Sequence, residues 1–386
     1  MTESAAAPSW SKADGRALTA VAIHFVINGA VLASWLPRLP EIRDALGVSL
    51  ATVGQAIMLA GVGGLLASAT AHRVIARFGT RRVMVVGTAG LLVCLPLVAL
   101  AQSVWVLVLV LASLAAIDVC IDIAMNMQGS ALSARRATPV MNRLHGMWSV
   151  GTVVAGAGAA MLAAAAVPLL WHLIAVSLLM VCALSFTARH VLAVDAPPPA
   201  PDTSQVGGTG GRSLWVFGLL GAVAIVPEMT ATDWAAFRLH DDLGVALGPA
   251  SIGFVAFTSG MVAARLLGDF VLVRAGPART LNGACVLALV GCLLAALVPD
   301  PVWSCLGFGL SGIGVSVLFP AIYDAAARRP GQPGAALGAM TAGTRLGAVV
   351  TPFAVGSLAE AGGHVGVAMV AAVAPALAAV WWCSRP

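Results

Sequence analysis

Asp118 and Asp122 stand four residues apart in a stretch of chain that is otherwise apolar. On a helix this spacing puts both carboxylates on one face, about 6 Å apart along the axis. Two carboxylates so close in a low dielectric resist double ionisation, which makes the pair a candidate proton or cation site. For Asp122 a structural role stays open beside this one, pairing with a loop arginine such as Arg143. Glu228 directly follows Pro227 in another apolar stretch. Proline donates no backbone hydrogen bond, so a kink is expected there, with freed backbone groups lining a cavity. An acid at such a kink can exchange a proton as the cavity changes sides.

Arg345 lies about ten residues into its apolar stretch, near mid-depth at ~1.5 Å rise per residue. An unpaired guanidinium there is costly, so it needs Asp118, Glu228 or an anionic solute. Asn28, one turn beyond His24, and Asn126 and Asp233 add polar groups to apolar helices, where they either meet a solute or bond a neighbouring helix. Arg265 and Asp269, four apart, form a second acid–base pair, and Asp324 and Arg328 a third with the look of an ordinary helix-surface pair. His145 and His172, near helix ends, read as locally bonded. No C-x-x-C pair, P-loop, H-E-x-x-H or G-x-S-x-G occurs, so neither a metal, a cofactor nor enzymatic chemistry is expected. Gly307-Phe308-Gly309-Leu310-Ser311-Gly312 fits the dinucleotide pattern only formally, because it lies inside an apolar span with no strand before it. With Gly260-x-x-x-Ala264-x-x-x-Gly268 and Gly343-x-x-x-Gly347, it reads as a close-packing stripe.

The elements that must position these residues are membrane helices. Of 386 residues, 60% are apolar and 10% charged, with a mean hydropathy of +0.96. A soluble domain has about 45–50% and about 25%, so a soluble fold, a disordered chain, a disulfide scaffold and a nucleic-acid binder are excluded. Spanning runs fall near 17–37, 51–71, 83–101, 104–130, 146–167, 169–189, 214–236, 250–271, 279–298, 302–326, 335–358 and 365–384. The first is too long for a cleaved leader and stays as a helix. The basic residues, all arginine except Lys12, fall overwhelmingly on one side; only Arg38, Arg43 and Arg238 lie on the other, and Arg265 and Arg345 within helices. Both termini are therefore expected in the cytoplasm. Nine of the ten tryptophans, all but Trp10, fall near helix ends, as an interfacial belt would.

The Pro- and Gly-rich stretch 190–213 reads as a cytoplasmic linker. It separates an N-terminal bundle, 17–189, from a C-terminal one, 214–384, with 1–16 as a cytoplasmic tail. The halves repeat. Arg77-x-Gly79-x-x-Arg82 recurs as Arg274-x-Gly276-x-x-Arg279, 197 positions on, and Asp44-x-Leu46-Gly47-Val48 recurs as Asp241-x-Leu243-Gly244-Val245 at the same offset. Trp105 and Trp303, which open two of the spans, differ by 198. Six-helix parallel repeats are the transporter pattern in which two bundles rock about a central site.

On these motifs the chain resembles the major facilitator superfamily over its whole length. The loops after the second and eighth helices resemble its signature G-x-x-x-D-R/K-x-G-R-R/K. The second copy keeps the acid as Asp269; the first has His72 in its place. The resemblance implies that Arg265, Asp269, Arg77, Gly79, Arg274 and Gly276 form a conformational latch. Asp122-Ile123-Ala124-Met125-Asn126 and His145-Gly146-x-x-Ser149-x-Gly151 further resemble a bacterial subgroup with a D-V-A-M-N motif, which includes inner-membrane proteins of undefined substrate and proteins linked to rhizopine metabolism. That subgroup implies an acid in the seventh helix, matched by Glu228 and Thr232-Asp233-Trp234.

The expected fold is thus an all-α membrane protein of twelve transmembrane helices in two pseudo-symmetric six-helix bundles. The expected function is secondary active, proton-coupled transport of a small polar solute by alternating access across a bacterial inner membrane. Glu228, Asp118 and Asp122 are the proton-coupling candidates. Asn28, Arg345, Asn126 and Asp233 are the cavity candidates. Solute, protons and membrane lipid are the partners, with no nucleic acid and a monomeric state. Multidrug-type efflux, or a sensor or enzyme on the same fold, are the alternatives.

Overall fold

A computed structural model describes residues 10–136, 140–192, 211–275, 277–327 and 333–383, and the regular structure among them is helical. Helix α1 (Lys12–Trp35) opens on a capping box, Ser11 and Asp14 each satisfying the other's backbone amide. A short 3-10 turn leads into α2 (Leu39–Leu46), which stops at Gly47 in the left-handed conformation. Helix α3 (Leu50–Cys94) carries two membrane crossings joined at Gly79, whose φ of 76° and ψ of 154° only glycine adopts without strain. Then follow α4 (Val104–Arg136), α5 (Met141–Ala164) and α6 (Leu169–Thr187).

The second half begins with α7 (Gly211–Ala224) and α8 (Val226–Phe237), separated by a break at Ile225, where Pro227 leads the sequence to expect a kink. A π-helical turn over Arg238–Asp242 and a single turn, α9 (Leu247–Ala250), lead to α10 (Ile252–Ala275). The chain ends with α11 (Pro277–Leu297), α12 (Pro301–Ala327), α13 (Pro333–Gly362) and α14 (Val365–Cys383). Ten described stretches are long and apolar enough to cross a membrane. One of them, Leu50–Leu100, holds two crossings, and α13 completes the twelve.

Packing repeats between the halves. Helix α1 lies against α5, as α7 lies against α13; α3 against α4, as α10 and α11 lie against α12; and α3 against α6, as α11 lies against α14. Small residues permit the close approaches. A Cβ on Gly260 would strike the Gly309 carbonyl, and one on Gly343 or Gly347 would strike the backbone of Gly218 or Ala222. The Gly307–Gly312 run packs likewise, so these glycines are helix-contact surface as the spacing suggests.

The tryptophans need correction. Trp105, Trp171, Trp215, Trp303 and Trp382 are exposed near helix ends, as a belt requires. Trp234 is wholly buried against Gly356, and Trp148 lies a full two turns inside α5 with its indole engaged. Helix α5 starts five residues earlier than its hydropathy suggests, because polar Asn142, Arg143 and His145 extend it beyond the apolar run.

Candidate functional site

The polar groups inside the membrane-spanning helices fall into two linked sets. In the first half, α1, α4 and α5 bring Asn28, Asp118 and Trp148 together. The Asn28 amide donates to Asp118 Oδ1 at 2.5 Å, and the Trp148 indole N–H donates to Asn28 Oδ1 at 2.9 Å. Asn28 is buried, so both ends of its amide are satisfied within the protein. Gly29 and Gly151 make this junction: a Cβ on Gly29 would meet Trp148 O and Thr152, and one on Gly151 would meet Val26 O. One turn along α4, Asp122 accepts from the Asn126 amide at 3.0 Å instead of pairing with Arg143.

The second set is a chain of charges drawn from both halves. Asp122 of α4 lies within electrostatic range of His145 on α5 and of Arg345 on α13. His145 also feels Arg265 on α10, and Arg265 in turn feels Glu228 on α8. Two acids and three bases thus run through Glu228, Arg265, His145, Asp122 and Arg345, with the bases Arg265 and His145 next to each other between the acids. Arg345 donates to Ser68 Oγ of α3, a bond that crosses between the halves. His145 stands edge-on to Phe25, with ring centroids 5.3 Å apart. Asp233 is buried on α8, its carboxylate accepting from Thr232 at 3.4 Å. His24 is buried, its Nδ1 3.2 Å from Thr88 Oγ1. Among the described residues no three His, Cys, Asp or Glu side chains form a metal-holding cluster.

Of the latch candidates, Arg77 is exposed beside Phe78 and Gly79 makes the turn. Arg265 lies within electrostatic range of Glu228 and His145. Asp269 and Arg274 lie on α10, and Gly276 lies outside the described residues, as do Arg328 and most of the 190–213 linker.

A feature the sequence reasoning missed lies at the end of the molecule away from both termini. There the repeated D-x-L-G-V segments meet face to face. Both glycines are left-handed, with φ of 63° at Gly47 and 66° at Gly244. Arg43 grips Asp241 through both guanidinium nitrogens. Its repeat counterpart His240 lies 3.4 Å from Asp44, the counterpart of Asp241. Each half therefore offers its basic residue to the other half's acid. Arg43 also covers the Phe237 ring at 5.4 Å. Nearby, Glu360 accepts from Ala51 N at 2.9 Å, and Ser251 donates to Pro37 O at 2.9 Å. Pro352 and Phe353 press on Gly54, and Leu50 on Gly356. The 197-residue repeat was the signal that could have pointed to this clasp.

Two helical bundles with ionisable groups of both halves at their junction, and a clasp at the end away from Lys12 and Cys383, define a multi-pass membrane transporter fold. The family model of the Major Facilitator Superfamily matches residues 21–330, and the chain belongs to that family, whose members are transporters and not enzymes. The chain is 29% identical over 346 residues to an uncharacterized transporter of Sinorhizobium fredii, covering 88% of this chain and 90% of that one. It is 27% identical to an uncharacterized MFS-type transporter of Yersinia pestis over 88% of both. Among solved structures it superposes on a mutant of the nucleoside transporter NupG with a TM-score of 0.76 at 14% identity, covering 95% and 100% of the two chains.

Proposed function

We propose that the chain moves a small polar solute by alternating access, driven by protons, across a bacterial inner membrane with both termini in the cytoplasm. The observation that carries this reading is the run of acids and bases contributed by both halves inside the membrane-spanning helices. Ionisable groups at that depth are expensive and are kept where a solute or ion passes. In this reading residues 17–189 and 214–384 are the two bundles, joined by the cytoplasmic 190–213 segment and preceded by the 1–16 tail.

Asp118 and Glu228 carry the proton, one in each bundle, with Asp122 as the relay toward His145. Asn28 and Trp148 hold the Asp118 carboxyl in place and, with Asn126 and Asp233, offer hydrogen bonds to a solute. Arg265 and Arg345 hold the negative charge when the carboxyls are ionised, or an anionic group on the solute. The clasp of Arg43, Asp241, His240 and Asp44 seals the outer side while the cavity opens inward. Arg77, Gly79, Asp269, Arg274 and Gly276 form the inner latch; Arg265 acts with Glu228. The structural neighbour named for nucleosides fits a polar cargo, and the aromatic content of 6% does not favour a cavity for large apolar cations.

The test is counterflow in proteoliposomes with labelled nucleosides, hexoses and amino acids, alongside trapped pyranine to follow protons. Saturable exchange of one class with proton movement, lost in Asp118→Asn, supports the reading. Saturable exchange with no proton movement contradicts the coupling, and no exchange of any class contradicts transport of a small polar solute.

A further inference from the structure

Away from the central charges, α1 and α6 border a crevice of about 540 Å³ at the end that carries the termini. Its rim is cationic. Lys12 and Arg16 come from α1, and Arg189 and His190 follow the end of α6. Lys12, Arg16 and Arg189 are exposed and stand in no ion pair with a described carboxylate. The acid nearest on the sequence, Asp14, is taken up elsewhere, by the Ser11 cap and by Arg135 of α4 at 3.0 Å.

Polarity falls with depth along both walls. On α1 the lining residues Lys12, Arg16, Thr19 and Ile23 follow a single helical face, so cation gives way to hydroxyl and then to hydrocarbon over about 16 Å. On α6 the order runs the same way in space. Phe186 lies one turn deeper than Arg189 and His190 and is largely exposed, while His190 Nδ1 donates to Phe186 O at 3.1 Å. Two membrane helices thus present a basic upper rim over a lower wall where Phe186 is largely exposed among the described residues.

We propose that this crevice binds an anionic phospholipid, with the phosphate on Arg16 and Arg189 and an acyl chain against Phe186 and Ile23. The charge matches a phosphodiester, and the sequence of polar to apolar lining matches headgroup, glycerol and chain in that order. A soluble anion has no use for the lower wall, and a zwitterionic lipid has little use for the rim. Arginine suits phosphate through its planar fork of donors. The site lies outside the solute pathway, and its occupancy pins α6 to α1 at the surface of the N-terminal bundle.

The test uses the full-length protein in neutral detergent, with dioleoyl phosphatidylglycerol and dioleoyl phosphatidylcholine in equal amounts, and counts retained lipid by native mass spectrometry. The wild type is expected to retain phosphatidylglycerol in preference. Arg16→Gln with Arg189→Gln should weaken that retention roughly thirty-fold, from about fivefold for each charge near the surface. Arg16→Lys with Arg189→Lys should keep most of the preference, which separates lost charge from lost folding. Arg81→Gln with Arg82→Gln, an equally exposed basic pair elsewhere, should leave it unchanged. Phe186→Ala should weaken retention of both lipids. Equal retention of the two lipids by the wild type overturns the proposal. So does an equal loss in the Arg81/Arg82 variant, and so does displacement of phosphatidylglycerol by equimolar glycerol phosphate, which would mark a site for free anions.

Discussion

Replacing Arg43 by alanine removes the centre of the clasp and should release the outer seal. Arg43 is 15% exposed and its partner Asp241 18%, so the pair is screened less than a surface ion pair. Hydrogen bonds to charged groups contribute about 1.5–3 kcal/mol each, and a cation over an aromatic ring about 0.5–1 kcal/mol. Asp241, and Asp44 that Arg43 also holds at 2.6 Å, rehydrate once freed at this edge, and Asp44 keeps His240 at 3.4 Å. A net loss of about 2 kcal/mol follows, which shifts the balance between sealed and open outer sides roughly thirty-fold toward open. Spin labels at Ala45 and Ala246, both exposed on the facing segments, report that change as a longer distance population. A double-mutant cycle with Asp241→Ala isolates the pair, because the two single variants should not add. An unchanged distance distribution in Arg43→Ala, or strict additivity, refutes the clasp as the element that holds the outer side shut.

The other predictions concern single residues. Glu360 lies past the predicted span 335–358, and its bonds to Ser49 and Ala51 N hold its carboxyl below the ordinary 4.5. A carboxyl lowered in this way supports the closed seal above its ordinary range and ceases to do so as pH falls through the lowered value. The spin-label distances should therefore lengthen in strong acid, and Glu360→Gln should remove that dependence. Gly356→Leu places a side chain where even a Cβ would lie 2.6 Å from Leu50 O and 2.8 Å from Trp234. It should hold the outer halves apart and stop exchange in proteoliposomes without preventing membrane insertion. Gly79→Ala meets no neighbouring atom, so its cost is backbone strain alone, about 1–3 kcal/mol, read as a lower thermal midpoint. Asn28→Ala strands the Trp148 indole and Asp118, with a cost of about 1–3 kcal/mol that Asn28→Gln does not restore, since the longer amide no longer spans the same gap.

The crossings were legible because each is an uninterrupted apolar run, and a bilayer demands length and little else. The break before Glu228 was legible for a local reason, the missing amide of Pro227. What the runs could not give is which polar residue on one helix faces which on another, since that depends on how each helix is rotated about its axis. Arg265 shows this. Its i, i+4 spacing to Asp269 suggests a local pair, and nothing in that spacing shows that packing also brings it within electrostatic range of Glu228 and His145 on other helices. Trp148 shows it again, for an indole near a helix end and an indole inside a bundle look alike in sequence. The clasp was half visible: the repeat identified Asp44 and Asp241 as equivalent, yet only the approach of the two halves reveals that each takes the other's base.

Proton coupling is tested most directly by Glu228→Gln in proteoliposomes, measured for exchange and for accumulation under an imposed pH gradient. Glutamine keeps the size and hydrogen bonding of the side chain but holds no exchangeable charge beside Arg265. Solute exchange at a rate near that of the wild type, with accumulation abolished, is the predicted result. Accumulation that persists with a normal dependence on the gradient contradicts the assignment of Glu228 and moves the proton site to Asp118.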